Sequence, residues 1–454
     1  MGLILSESRK CRLSTFCALY VAQGIPWGFM LITLPAYLAS EFGLDDTEIG
    51  NLKAIILIPW SFKLIWAPIM DTFTLRSMGR RRSWIIGSEL MMAATLLAFI
   101  LVAGQDLSAK LTPLVWMYFV HNCFASLQDV CTDALAVDIL PEAERGQTNG
   151  LMWGSKLVGK GLGAAGLSLV LNAEWGGLGA CVAIQIALLM LIMIIPIVFL
   201  ERPGEKRMPW SQGQAMGDSS TSAGNFSATF VNWFRAFTLP TMIAYLVFTL
   251  SKLLGSGINE IVTKTLYTQQ LDWDDVEFSA VAGFWATGPI ILGAVGGGYL
   301  ADRFGRRLIL AIGFGGFGLA AIVFALGHGY WDDRTFATSY IIVSDSLNAV
   351  ASVGFLSLAM KISWSAAAAT VFTTYMTLSN VSHIIGNKLA GPVREYFKYG
   401  ADSAEANMHS YMMTFWTIGV LSLLPLVFLL WVRPREVEAA EQRRLAAGTD
   451  EGPN

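Results

Sequence analysis

Asp129 and Asp133 stand four residues apart in apolar sequence, and Lys156 and Lys160 repeat that spacing beyond a short turn. On an α-helix this spacing puts both side chains on one face. Two acids and two bases so placed can form ion pairs, hold an anionic solute, or exchange a proton. An ionisable residue inside a membrane-spanning helix costs about 2.5–3.5 kcal/mol on insertion scales, so such groups face protein or a watery cavity. One reading is two buried salt bridges that make insertion tolerable. The other is a coupled network, because a buried carboxylate beside a lysine can be loaded with a proton on one side and emptied on the other. A charge crossing the full potential releases about 2.3 kcal/mol per 100 mV, enough to drive modest accumulation. On this reading Asp129 is the first candidate for proton coupling and Asp133 the second. Lys156 and Lys160 are counter-charges, or anchors for a substrate carboxylate.

The elements that must position these groups are helices suited to lipid. Of 454 residues, 54% are hydrophobic and 14% charged, and the mean hydropathy is +0.52. Soluble domains are nearer a quarter charged, and a water-soluble fold of this composition would expose large apolar patches. Apolar runs long enough to span a bilayer fall near 15–40, 49–70, 83–103, 113–139, 147–172 and 178–200. A second set falls near 237–268, 278–301, 308–328, 336–362, 366–391 and 408–432. The fold class is therefore an all-α membrane protein, with twelve transmembrane helices in two pseudo-symmetric six-helix bundles, 1–200 and 234–434. The Gly- and Ser-rich stretch within 201–233 predicts a flexible linker, and 435–454 a disordered tail. The first run follows Arg9, Lys10 and Arg12, as a signal peptide would, but is too long and lacks a small-residue cleavage site. Cys11, Cys17, Cys123, Cys131 and Cys181 show no CxxC spacing and read as buried thiols, neither disulfides nor a metal site.

The halves repeat. Gly297-Gly298-Tyr299-Leu300-Ala301-Asp302-Arg303-Phe304-Gly305-Arg306-Arg307 follows the second helix of the second set. At the matching place the first set has Ala67-Pro68-Ile69-Met70-Asp71, then Gly79-Arg80-Arg81-Arg82. An internal repeat with such punctuation indicates duplicated bundles. With twelve helices, most Lys and Arg outside the apolar runs fall on one side, leaving chiefly Lys110, Arg334, Arg394 and Lys398 opposite. The positive-inside rule puts both termini and the linker in the cytoplasm, and the expected location is a bacterial inner membrane.

The repeated GxLADRxGRR segment resembles the loop signature of the major facilitator superfamily, although Thr72 to Met78 separate Asp71 from its glycine. The resemblance implies that Asp71, Arg80, Arg81, Asp302, Arg303 and Arg306 latch the cytoplasmic helix ends and rearrange during alternating access; plain topology anchoring by cations is the alternative. Three segments of the first half are narrower in their likeness: Gly24-Ile25-Pro26-Trp27-Gly28-Phe29, Lys63-Leu64-Ile65-Trp66-Ala67-Pro68-Ile69-Met70-Asp71, and Gln128-Asp129-Val130-Cys131-Thr132-Asp133-Ala134 with Leu140-Pro141-Glu142-Ala143-Glu144-Arg145-Gly146. Together they resemble the AmpG muropeptide permeases and the related acetyl-CoA transporters. That likeness implies a muropeptide-type secondary carrier, with an acyl-CoA or siderophore transporter as the alternative. The superfamily resemblance implies that helices 1, 4, 7 and 10 line a central cavity, which makes Lys252, Asp345 and Asn348 substrate-binding candidates.

Other polar groups are weaker candidates. Gln23 and Trp27 share a face of helix 1 and can meet a sugar ring, although a tryptophan there is more often packing. Lys63 matches the family segment but lies where a lysine can snorkel. Glu260 and Lys264, four apart, read as a local ion pair; His121 and His383 can relay protons, although a lone histidine is more often a satisfied core residue. Gly154-Ser155-Lys156-Leu157-Val158-Gly159-Lys160-Gly161 spells most of a P-loop, but Gly161 replaces Ser or Thr and no strand precedes it. It and the GxGxxG of Gly161 to Gly166 read as small residues that let helices pack closely. No cofactor, metal or nucleic acid is expected; a membrane-embedded enzyme or a sensor is the lesser alternative, since four spread histidines and no HExxH do not make a catalytic set and a sensor would not need the paired charges. The expected partners are a small solute, protons and the bilayer, with the carrier a monomer.

Overall fold

The computed structural model describes residues 4–73, 76–102, 111–211, 237–363, 368–398 and 403–448. Among them run twelve long helical segments and a shorter thirteenth. They are α1 (Arg9–Phe42), α2 (46–72), α3 (Arg82–Val102), α4 (Leu111–Ile139), α5 (142–171) and α6 (Leu178–Val198). There follow α7 (Pro240–Gln269), α8 (275–304), α9 (Arg306–Leu326), α10 (Arg334–Ile362), α11 (Ala368–Lys398), α12 (Ala404–Leu430) and α13 (Pro434–Gly448). Eight of the long helices qualify as membrane spans on length and apolarity alone. The more polar α2, α4 and α5 carry the charges considered above, the composition expected of helices that turn a polar face to protein.

Local signals set the helix ends. Ser8 caps α1 by accepting from the Cys11 N–H. Asp45 and Glu48 close a capping box on α2, which satisfies two orphan donors. Gly43, at φ +63°, ends α1 in the left-handed conformation that glycine tolerates. The anticipated linker begins in ordered chain, because 201–211 folds against the α2–α3 loop; 212–236 lie outside the described residues. Where disorder was expected, residues 434–448 are helical, and α13 buries Val437. That single apolar anchor, with Glu436 accepting from the Thr241 hydroxyl, gives the segment something to fold against.

The chain divides into two compact units, Met1–Ser219 with Lys264–Gly288, and Ser220–Thr263 with Pro289–Asn454. In the first, α5 lies on α1 at backbone contact. A Cβ on Gly24 would stand 2.3 Å from the Lys156 carbonyl oxygen, and one on Gly163 2.0 Å from that of Ile25. Both helices carry a π-helical turn at this crossing, at Phe29–Thr33 and Leu162–Gly166. There the Thr33 hydroxyl donates to the Ala164 carbonyl at 2.7 Å. Gln269 donates to the Leu44 carbonyl at 2.8 Å and Asn172 to Asp275 at 2.8 Å, which ties 264–288 into this unit. In the second unit α7 breaks after Ser251, and the Leu253 N–H donates to the Ser382 hydroxyl at 3.1 Å. An aromatic core of Tyr245, Phe248, Phe314, Phe355 and Tyr375 packs around the first half of α7.

Candidate functional site

The charged pairs of α4 and α5 meet in part. Their antiparallel course, turned at Leu140–Pro141, brings the Lys156 ammonium to Asp129 at 3.4 Å. Lys63 of α2 reaches the other oxygen of the same carboxylate at 2.5 Å, so Lys63 is a partner of Asp129 and its ammonium is not left to snorkel. Asp133 has no lysine at hydrogen-bond distance among the described residues. It is exposed and accepts a hydrogen bond from the Tyr20 hydroxyl at 2.5 Å. Lys160 makes no ion pair among the described residues. The expectation of two matching pairs is therefore half met, because Lys160 lies a full turn beyond Lys156 and farther from the α4–α5 turn.

Aromatic rings surround the Lys156 end of the triad. Its ammonium is 4.4 Å from the Trp27 ring centre, 4.9 Å from Trp60, and 5.6 Å from Tyr20 and Trp153. Trp27 and Trp60 are tilted together at 4.7 Å. A cation over such faces is held by ring quadrupoles as well as by its carboxylate. The glycines explain the geometry, since only residues without a side chain allow α5 to bring Lys156 this close to α1.

One turn along, Gln23, Trp27, Trp60, Met92, His121 and Asn122 line a small, mostly apolar cavity. The Gln23 amide donates to Gln128 at 2.5 Å, and the Gln128 amide donates to Glu89 of α3 at 3.3 Å. His121 is buried, with its Nδ1 3.2 Å from the Met92 carbonyl oxygen and its Nε2 without a hydrogen-bond partner, so the expected satisfied core histidine is satisfied at one ring nitrogen only. Sequence reasoning missed Glu89, Tyr20 and Trp60. Glu89 is a lone acid in a long apolar run, a signal that was present; Tyr20 lies one turn from Gln23 on the same face of α1.

The second unit holds the remaining substrate candidates. The Lys252 ammonium donates to the Ser379 hydroxyl at 2.8 Å and lies 3.9 Å from the Phe355 ring centre. Asn348 donates to the Ser256 hydroxyl at 3.1 Å, and Asp345 is half-buried on the same helix. Glu260 is 2.9 Å from the His383 ring nitrogen.

Of the candidate latch, the side chains of Asp71 and Asp302 lie outside the described residues. Arg81 pairs with Asp138 at 2.9 Å, Arg303 lies over the Phe304 ring at 5.6 Å, and Arg306 is half-buried. Around Gly79 the carboxylate is Glu201, another residue the sequence reading did not single out. It accepts from the backbone N–H groups of Arg80, Arg81 and Arg82 at 2.9, 2.7 and 2.5 Å, at the start of α3. Helix N-termini favour an anion in this way. Burial pushes the Glu201 carboxyl above its ordinary range in spite of these donors. Burial, then the neighbouring Glu201 charge, push Glu205 up to about 7. Arg82 is fully buried, 3.6 Å from Glu205, and donates to the carbonyls of Met78 and Pro196 at 2.7 and 2.8 Å.

A family model described as Major Facilitator Superfamily matches residues 16–387. The anhydromuropeptide permease of Escherichia coli (strain K12) is 26% identical over 433 residues, covering 92% of this chain and 78% of its own. Among solved structures, a bacterial homologue of the human lysosomal transporter Spinster superimposes with a TM-score of 0.70 at 13% identity, covering 95% of this chain and 98% of its own. The nucleoside transporter NupG gives 0.67 at 14%, covering 93% and 99%. The helices, their charged faces and these likenesses have one explanation: the chain belongs to the major facilitator superfamily of membrane transporters.

Proposed function

We propose that this chain is a proton-coupled permease for muropeptide-type solutes, working by alternating access in a bacterial inner membrane with both termini cytoplasmic. The observation that carries the reading is the Lys63–Asp129–Lys156 triad beside Trp27 and Trp60. A muropeptide joins sugar rings to a peptide with free carboxylates. Tryptophan faces suit the apolar side of a sugar ring, and a desolvated lysine suits a carboxylate. The likeness to the anhydromuropeptide permease supports the same solute class.

Coupling follows from competition for one cation. A substrate carboxylate that takes Lys156 leaves Asp129 with Lys63 alone, and Asp129 then binds a proton from the open side. Release of the substrate returns Lys156 to Asp129, and the proton leaves. Asp133, held by Tyr20, is the second station on the same helix face. Lys252, Asp345 and Asn348 are the proposed solute contacts of the second unit. Glu201 and the Arg80–Arg82 backbone, with Arg303 and Arg306 in the other repeat, are the proposed parts that rearrange at the cytoplasmic ends.

The test is uptake of a radiolabelled anhydromuropeptide into proteoliposomes under an imposed proton gradient. Accumulation is expected to collapse with an uncoupler, and Asp129→Asn is expected to abolish accumulation while leaving solute exchange. Uncoupler-insensitive accumulation by Asp129→Asn would sink the coupling scheme.

A further inference from the structure

Glu89 takes no part in the triad, yet it is a fully buried carboxyl of the first unit. It is 0% exposed, one oxygen accepts from Gln128, and the other has no hydrogen-bond partner. The helices packed on α3 are α4 and α6. On α4 the nearby titratable group is His121, bound to the Met92 carbonyl one turn along α3 from Glu89; Asp129, next to Gln128, is engaged by Lys63 and Lys156. On α6 the sole titratable side chain is the Cys181 thiol, which donates to the Leu167 carbonyl. Tyr20 of α1 donates to Asp133. No charged side chain faces Glu89 among the described residues, so an ionised carboxylate there has no counter-charge to offset its burial.

The hydrogen bonds leading from Glu89 have a direction. Gln23 donates to Gln128 and Gln128 donates to Glu89, so every donor points towards the carboxyl group, and the Gln23 oxygen is left without a partner. That is the order an ionised Glu89 imposes. A protonated Glu89 is itself a donor. An amide exchanges its donor and acceptor ends by a half turn of its terminal torsion. With Glu89 protonated, two such turns reverse the chain: the acid donates to Gln128, Gln128 donates to Gln23, and Gln23 frees its NH2 group. Gln23 lines the cavity beside Trp27 and Trp60.

We propose that Glu89 is a second proton-binding site, and that the Gln128–Gln23 amide pair converts its protonation into the hydrogen-bonding sense presented to the cavity. Gln23 offers an acceptor when Glu89 is ionised and a donor when it is protonated. A solute that brings a carboxylate or carbonyl to Gln23 then binds together with a proton at Glu89. This rests on the proton-coupled reading and adds to it a residue and a relay.

The experiment is infrared difference spectroscopy of the full-length protein in liposomes after a pH jump, with no solute present. The wild type is expected to show a carboxylic-acid band coupled to a paired side-chain amide change. Glu89→Gln, nearly isosteric, is expected to lose one carboxyl's share of the acid signal, leaving that of Asp133 and Glu205, and to lose the amide pair. Gln128→Met is expected to keep the acid band and lose the amide pair, which separates the relay from the proton site. Acid signal of full wild-type intensity in Glu89→Gln overturns the proposal, as does an amide change that ignores that substitution. Since no solute is used, failure of the muropeptide reading is scored separately, by absent wild-type uptake.

Discussion

The Lys156 ammonium stands 4.4 Å from the centre of the Trp27 ring, on a helix whose backbone touches that of α1. Cation–π contacts of this kind contribute about 0.5–2 kcal/mol, more when desolvated. Trp27→Leu is therefore expected to raise the KM for uptake by about 2- to 30-fold while leaving maximal exchange nearly unchanged. Initial rates in proteoliposomes at varied solute concentration measure this. An unchanged KM would remove Trp27 from the binding surface.

Lys63, within the triad, and Lys160, one turn beyond it, should behave differently. Lys63 holds Asp129 at 2.5 Å, whereas Lys160 makes no ion pair among the described residues. Lys63→Met strips one of two cations from a buried carboxylate, and breaking such pairs costs up to about 3–5 kcal/mol. It should lower Tm in detergent by many degrees and impair uptake. Lys160→Met is expected to leave both close to wild type. Equal loss in the two variants would mean that Lys160 acts through a contact outside this arrangement.

Close helix contact gives a sharper test of packing. A Cβ on Gly28 would lie 2.0 Å from the Lys160 carbonyl oxygen and 2.8 Å from the Ala164 nitrogen, both backbone atoms that cannot swing aside. Overpacking of this kind costs about 1–3 kcal/mol, and more where backbone must move. Gly28→Ala should thus separate α1 from α5, lower Tm and weaken Lys156-dependent uptake. Gly154→Ala, on the partner helix α5 but with nothing within 4 Å of the added carbon, should be neutral.

The sequence showed which face of α4 and α5 carried the charges, but not their depth. Spacing of four fixes a face, and the short turn fixes antiparallel neighbours. Neither reveals that Lys63, from α2, takes the second oxygen of Asp129, nor that Tyr20 takes Asp133. Those contacts need the relative heights of four helices, which the α1 and α5 glycines set. The twelve spans were legible because lipid imposes a length on every helix. Glu201 and Glu205 were not, since a polar run after α6 looks like linker until it is seen docked under the α3 N-terminus.

Glu205 provides a pH test outside the membrane spans. Burial and the Glu201 charge raise its carboxyl to about 7, so the native state holds this proton at pH values where the unfolded chain has lost it. The sign follows: the group favours folding below the ordinary carboxylate range, and that contribution is lost as pH rises towards about 7. Tm of the detergent-solubilised protein should fall across that window. Glu205→Gln, which stays neutral, should flatten the fall while leaving the acid-side Tm near wild type. Ionisation also changes what Arg82 faces, since that guanidinium lies 3.6 Å from Glu205 and braces carbonyls on both the Gly79 loop and the end of α6. Hydrogen exchange at the Arg80–Arg82 amides should therefore depart from simple base catalysis as pH passes about 7, in the wild type and not in Glu205→Gln. Identical pH profiles in the two proteins would show that Glu205 does not titrate in this window.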